Sequence, residues 1–106
     1  METVRLLLAG LALACGAAGA AEAPDPATSL REGMPKDVAA LIQRMVECNH
    51  WAGEEPYEAT RRHEIELALR RLQCDKLDAD QKAIRSKYPD NEEIGRRLDA
   101  ARERYR

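Results

Sequence analysis

Apolar residues occur in two arrangements along this chain of 106 residues. Residues 6–14 form one continuous run of Leu, Ala and Gly near the N-terminus. Further along, apolar residues recur every three or four positions, which is the period of an amphipathic helix. Four such stripes are present: Val38, Leu41, Ile42 and Met45; Ile65, Ala68, Leu69 and Leu72; Ala79, Ala83, Ile84 and Tyr88; and Ile94, Leu98, Ala101 and Tyr105. The stripes predict an all-α fold, a small bundle of about four helices.

Prolines and a glycine delimit the first two predicted helices. Pro35 fits the first turn of a helix, where its missing N–H is harmless, and we predict a first helix over residues 36–49. Gly53 interrupts the helical pattern. Pro56 can open a second helix, which we predict over residues 57–74.

The last two predicted helices carry capping residues. Asp78, with Gln81 three positions later, has the spacing of a capping box, and Pro89 would end this third helix. Asp90 or Asn91 is expected to cap the fourth helix. Acidic residues at the start of the fourth helix and arginines at its end suit the helix dipole.

The N-terminal apolar run has the length of a signal-peptide core and is too short to span a bilayer. Arg5 supplies a positive charge before it, and Ala18-Gly19-Ala20 matches the small-x-small cleavage rule. A buried N-terminal helix is the alternative. We predict three regions: a cleaved signal peptide over 1–20, a Pro- and Ala-rich flexible leader over 21–34, and a helical domain over 35–106.

Cys15 offers a second way to process the N-terminus. The residues from Leu11 to Cys15 resemble a lipoprotein signal, in which the cysteine is lipidated and becomes the first residue. A lipidated Cys15 would tether the domain to a membrane through the leader. We therefore expect a periplasmic or secreted protein, with a lipid-anchored envelope protein as the alternative and membrane contact only if Cys15 is lipidated.

Composition restricts the function further. Removing residues 1–20 takes away one acid and one base, so the remaining 86 residues keep the net charge of −2. A chain this short forms one domain at most, and domains of this size usually need a staple. Binding to nucleic acid requires a basic face, which a near-neutral chain does not indicate, so we expect no nucleic-acid partner.

Two cysteines can supply the staple. Either route of N-terminal processing leaves Cys48 and Cys74 as an even pair in an oxidising compartment, which predicts a disulfide between them. On the chain-entropy model this bond would stabilise the fold by roughly 3 kcal/mol. A bridge between two chains and a pair of free thiols remain as alternatives.

The predicted disulfide constrains the path of the chain after the first helix. Helix ends at Cys48 and Cys74 would lie about 25 Å apart in a plain antiparallel hairpin. They can meet if residues 49–56 run back along the second helix as a strap, with Trp51 as its anchor. Alternatively, the second helix begins nearer Thr60 or crosses the first at a steep angle.

The segment 48–55 has three possible roles. It can be purely structural, with Trp51 packing and Gly53 turning. It can be a recognition surface, with candidate binding residues His50, Trp51, Glu54 and Tyr57, because Trp is enriched at binding hot spots. It can also supply a zinc or copper site formed by Cys48, His50, His63 and Cys74, although an oxidised cysteine pair cannot ligate a metal.

No combination of residues indicates catalysis. His63-Glu64 lacks the second histidine of the zinc-protease motif, because position 67 is Leu. Ser29 and Ser86 are the only serines, and neither lies in a nucleophile-elbow pattern. We therefore expect a protein that is not an enzyme, has no cofactor and binds another envelope protein. Its oligomeric state is left open.

Residues Cys48 to Glu103 resemble a group of small uncharacterised exported bacterial proteins. The most specific shared block is CNHWAGEEPY at residues 48–57. More distantly, residues 74–101 resemble the LprI-type lysozyme-inhibitor family, with an Asp, an apolar residue and a Tyr followed by a Leu–Ala pair. This second resemblance implies a small, exported, helical and disulfide-stapled domain with an inhibitory role.

Overall fold

A computed structural model of the protein describes residues 25–105. The predicted signal peptide and the possible lipidation site Cys15 lie outside the described residues. The described part is all-α and has no strand, which confirms the predicted fold class. It contains five α-helices rather than about four: α1 (Pro26–Arg31), α2 (Lys36–Ala52), α3 (Ala59–Arg71), α4 (Leu77–Lys87) and α5 (Glu92–Arg104), with a 3-10 turn at Cys74–Lys76.

Helix α2 is central and contacts each of the other four helices. Its stripe packs against the stripe of α5, which confirms both predicted inner faces. Half-buried side chains cover this layer, namely Leu30, Met34, Leu77, Ile84, Tyr88 and Tyr105. The buried cluster consists of Val38, Leu41, Ile42, Met45, Ile94, Leu98 and Ala101.

Within residues 25–34, helix α1 corrects the prediction of a flexible leader over 21–34. The Asp25 side chain caps this helix by accepting a hydrogen bond from the Ala27 amide at 3.1 Å, and Pro26 occupies its first position. Ala27 is fully buried. Six residues are too few to show a helical period, so α1 is recognisable only through its contacts with α2 and α5.

Helix α4 begins one residue before the predicted cap. Leu77 is its first residue, so Asp78 lies in the first turn and the proposed capping box with Gln81 does not form. Two residues of the predicted inner face, Ala79 and Ala83, are exposed. Gln81 is buried in their place, while Ile84 and Tyr88 are half-buried as the prediction requires.

Helix α5 has the predicted kind of cap, and the structure selects one of the two candidates. The Asn91 side chain accepts a hydrogen bond from the Ile94 amide at 3.1 Å. This Asn91 cap and the two acids of the first turn suit the partial positive charge of a helix N-terminus.

The disulfide between Cys48 and Cys74 is present, with the two Cα atoms 5.7 Å apart. The predicted strap is wrong, because α2 continues without a break through Ala52. Cys48 therefore lies one turn before the end of its helix, and α3 begins at residue 59, close to the alternative start near Thr60. Gln73 adopts the left-handed conformation (φ 53°), which turns the chain after α3 and brings Cys74 back to α2.

None of the helices in residues 25–105 combines the length and the apolar character that crossing a membrane requires.

Candidate functional site

The predicted binding residues lie around the junction between α2 and α3. His50 and Trp51 belong to the last turn of α2, whereas Glu54 and Tyr57 belong to the connection that follows. The structure brings the first three together and adds one residue from α3 that the sequence did not indicate. We call the resulting set the Trp51 surface: His50, Trp51, Glu54, Tyr57 and Arg61.

Trp51 is held between two neighbours. The edge of the His50 ring meets it with the ring centres 5.6 Å apart and the planes at 76°. The Arg61 guanidinium carbon lies 5.2 Å from the centre of the Trp51 ring, within the range of a cation–π contact. Trp51 is half-buried, so these contacts orient the ring while part of it stays accessible.

Carboxylates fix Arg61 over the ring. Its guanidinium donates to Glu64 at 2.9 Å and to Glu54 at 3.1 Å. These hydrogen bonds, first Glu64 and then Glu54, raise the pKa of Arg61 above its ordinary value. Glu54 also lies 3.3 Å from His50 Nε2 and so connects α2 with α3. The spacing of Arg61 and Glu64 is visible in the sequence, but the contact with Trp51 crosses the interhelical connection and has no local signal.

Tyr57 is brought near this group by the chain but makes no packed contact with it that would bury the ring. Its side chain is 79% exposed, which makes it the most exposed large hydrophobic residue of the described chain. Its amide donates to the Glu55 carbonyl at 3.0 Å, which tightens the connection. An aromatic ring in this position is available to a partner.

The four residues of the proposed metal site are not gathered as ligands. The sulfur atoms of Cys48 and Cys74 are joined to each other. His50 faces Trp51 and Glu54, and His63 is exposed on α3. Residues 25–105 contain no group of three or more His, Cys, Asp or Glu side chains arranged to hold a metal ion.

A second cluster lies beside the disulfide and was not predicted. Arg44 Nε donates to the Leu72 carbonyl at 3.0 Å, and Arg44 Nη2 donates to the Gln73 carbonyl at 3.1 Å. Arg44 Nη1 forms an ion pair with Asp80 at 2.8 Å. One side chain of α2 thus caps the end of α3 and holds the start of α4.

A third cluster connects the N-terminus of α2 with the end of α4. The Lys87 ammonium donates to Asp37 at 2.6 Å, and the Tyr88 hydroxyl donates to the same carboxylate at 3.0 Å. Lys87, followed by Tyr88 and the Val38 amide, holds the pKa of Asp37 below its ordinary value against the opposing effect of desolvation. The same carboxylate raises the pKa of Lys87.

Comparison with known proteins adds no relative: no family model matches the chain, and neither a curated protein nor a solved structure shows significant similarity to it. The resemblances drawn from the CNHWAGEEPY block and from residues 74–101 therefore stay predictions.

Proposed function

We propose that this protein is an exported, non-catalytic module that binds another envelope protein through the Trp51 surface. The observation that carries the proposal is the arrangement of Trp51, whose ring is oriented by His50 and Arg61 while remaining partly accessible. Trp, Tyr and Arg are the residues most enriched at binding hot spots. All three occur here, with Tyr57 largely exposed beside them.

Preorganisation supports a binding role over simple packing. Immobilising a flexible side chain costs binding free energy, and the contacts of Trp51 impose that cost before a partner arrives. Arg61 has its own carboxylate partners, Glu54 and Glu64, so a partner need not neutralise it. The surface therefore favours contacts with aromatic and aliphatic groups over contacts with a strongly charged ligand.

The proposed location outside the cytoplasm rests on the disulfide and on the predicted signal peptide. Disulfides persist in oxidising compartments and are rare in the cytosol. The intact mass of the protein isolated from the envelope distinguishes the two processing routes, because cleavage after Ala20 and lipidation at Cys15 give different N-termini.

Site-specific photo-crosslinking tests the binding surface. We would place p-benzoylphenylalanine at position 57 and irradiate the protein in envelope extract. The expected result is a discrete adduct with one protein, which is lost when Trp51→Ala or Arg61→Gln is introduced in addition. The matched control places the same residue at Ala83, which is exposed on α4.

Two results would contradict the proposal. One is an adduct at position 57 that persists in both variants, and the other is the same adduct from position 83. Since the resemblance to LprI-type proteins implies an inhibitory role, lysozyme is the first purified partner to offer. An adduct with lysozyme, together with inhibition that Trp51→Ala removes, would support the inhibitory form of the proposal.

A further inference from the structure

A groove separate from the Trp51 surface lies where the 3-10 turn, α4 and the end of α5 meet α2. Its volume is about 330 Å³, at the lower end of the range of small-ligand pockets. Met45 and Leu77 give it an apolar side. Its polar side consists of Gln81, Asp75, Asp78 and Arg102, and none of these residues belongs to the Trp51 surface.

Gln81 is the most informative residue of this groove. It is 7% exposed, and it is the buried polar residue of the described core. Because α4 starts at Leu77, Gln81 has no capping role. Its side chain makes no hydrogen bond with any other residue between 25 and 105, although a buried amide left without partners costs about 1–3 kcal/mol.

The Gln81 amide must therefore face the groove. Within residues 25–105, every side-chain nitrogen or oxygen that is sealed from solvent has a hydrogen-bond partner. Gln81 lacks such a partner, so its amide atoms keep their remaining exposure on the groove side, where the residue forms part of the lining. A carboxamide offers both a donor and an acceptor, as a peptide group does.

Side chains of both charges line the groove that contains this amide. Asp75 and Asp78 are exposed on one part of the rim, and Arg102 is exposed on α5. None of the three forms an ion pair with another residue of the described chain. The carboxylates favour an ammonium group, whereas the guanidinium favours a carboxylate.

We propose that this groove binds short zwitterionic peptides. The peptide group would pair with the Gln81 amide, the N-terminal ammonium would face Asp75 and Asp78, and the C-terminal carboxylate would face Arg102. Small aliphatic side chains would lie against Met45 and Leu77. This binding does not depend on the function proposed for the Trp51 surface.

Titration with the dipeptide alanyl-alanine tests the proposal. We would follow the Gln81 side-chain amide resonance and the α4 amides by nuclear magnetic resonance, using the oxidised protein isolated from the envelope. Saturable shifts at these groups are expected with alanyl-alanine. N-acetyl-alanyl-alanine amide, which lacks both terminal charges, is expected to bind about a hundredfold more weakly, a loss equivalent to two charge-assisted hydrogen bonds.

Variants separate binding from folding. Gln81→Leu and Arg102→Gln are expected to weaken alanyl-alanine binding about tenfold. Arg104→Gln, on the same helix but outside the groove lining, is expected to leave binding unchanged. Gln81→Leu replaces an amide without a protein partner by an apolar group of similar size, so its melting temperature should equal or exceed that of the parent.

Three results would overturn the proposal. They are an absence of shifts with alanyl-alanine, binding that survives Gln81→Leu, and a Gln81→Leu protein that is clearly less stable than the parent. The last result would mean that the amide has a structural partner. A failure of photo-crosslinking at position 57 would leave these outcomes unaffected.

Discussion

Arg44 and Asp80 form an ion pair at 2.8 Å that joins the middle of α2 to the first turn of α4. The same guanidinium donates to the carbonyls of Leu72 and Gln73 at the end of α3. Cys74, the next residue, is bonded to Cys48 one turn further along α2. The corner between α3 and α4 is therefore attached to α2 by a covalent bond and by a polar cluster.

Truncating Arg44 should loosen this corner. Arg44→Ala removes the donor of the Leu72 carbonyl and the ion-pair partner of Asp80, while the Gln73 carbonyl keeps the Lys76 amide as a donor. The variant is expected to lower the free energy of unfolding by about 1–3 kcal/mol. Arg44→Lys keeps the charge, but its donors all lie on one nitrogen and cannot reach the three acceptors that the separate guanidinium nitrogens contact, so its loss of stability should be intermediate. Urea denaturation monitored by circular dichroism measures both effects.

The matched control for Arg44 is Arg85→Gln. Arg85 also forms a single ion pair, with Asp99, but both side chains are more exposed. An exposed pair contributes less than about 1 kcal/mol. If Arg44→Ala destabilised the protein no more than Arg85→Gln, the cluster would not hold the corner.

Reducing the disulfide should destabilise the whole domain, because the bond closes a loop across 26 positions. The expected cost is about 3–4 kcal/mol on the chain-entropy model. The measurement compares urea unfolding of the oxidised protein with that of the Cys48→Ser, Cys74→Ser double variant. Dithiothreitol should destabilise the parent protein and leave the double variant unchanged; equal effects on both would contradict the prediction.

The sequence predicts those parts of the fold that depend on local spacing. The apolar stripes of α2 and α5 are confirmed because they form the buried layer. Apolar residues at the helical period lie on one face of a helix, and this face is the one that becomes buried. The cap at Asn91 follows from a short-range hydrogen bond. The disulfide follows from counting cysteines in a chain that is predicted to be exported.

The predictions from the sequence fail where contacts between distant residues determine the structure. Residues 49–52 remain helical because no breaker occurs before Gly53, although the apolar stripe ends at Cys48. Arg44 meets Leu72 and Asp80 across 28 and 36 positions, a separation that no periodicity reveals. The structure brings together three of the four predicted site residues, His50, Trp51 and Glu54. The sequence does not indicate Arg61, because its contact with Trp51 joins two different helices.

The cluster at Asp37 should make stability depend on pH. Its pKa is lowered in the folded protein, mainly by the hydrogen bond from Lys87. The carboxylate therefore stabilises the fold fully above its unfolded pKa of about 4, and this contribution is lost as the pH falls through the lower folded value. Lys87, with its raised pKa, should add a corresponding loss at strongly alkaline pH.

Asp37→Asn tests this dependence. The variant should be less stable than the parent at pH 7, and the difference should shrink as the pH falls toward about 2, because protonation of Asp37 removes the charge from the parent as well. Urea unfolding between pH 2 and pH 7 provides the measurement. Asp90→Asn serves as the control, because Asp90 forms no ion pair with another described residue. A difference for Asp37→Asn that stayed constant with pH would rule out the electrostatic explanation.

Arg97 should determine whether α1 stays docked. Its Nη1 atom donates to the carbonyls of Ser29, Leu30 and Glu32 at 2.6–3.1 Å, while its Nε donates to Glu93. A six-residue helix cannot persist in water on its own, so these bonds, the hydrogen bond from Arg31 to Gln43 of α2 and the burial of Ala27 must hold it. Arg97→Gln is therefore expected to open α1 locally while leaving the layer between α2 and α5 intact.

Hydrogen exchange of the Glu32 amide, which donates to the Thr28 carbonyl, measures this opening. Losing about 1.4 kcal/mol of local stability would make that amide exchange about tenfold faster in Arg97→Gln, while the buried amides of α2 keep their protection. Arg96→Gln is the matched control, because Arg96 is the adjacent residue and, among residues 25–105, pairs only with Glu92 and Glu93 on its own helix. Equal exchange in the two variants would mean that α1 stays docked without Arg97 and would contradict the prediction. Faster exchange throughout α2 would mean that α1 and the core unfold as one unit.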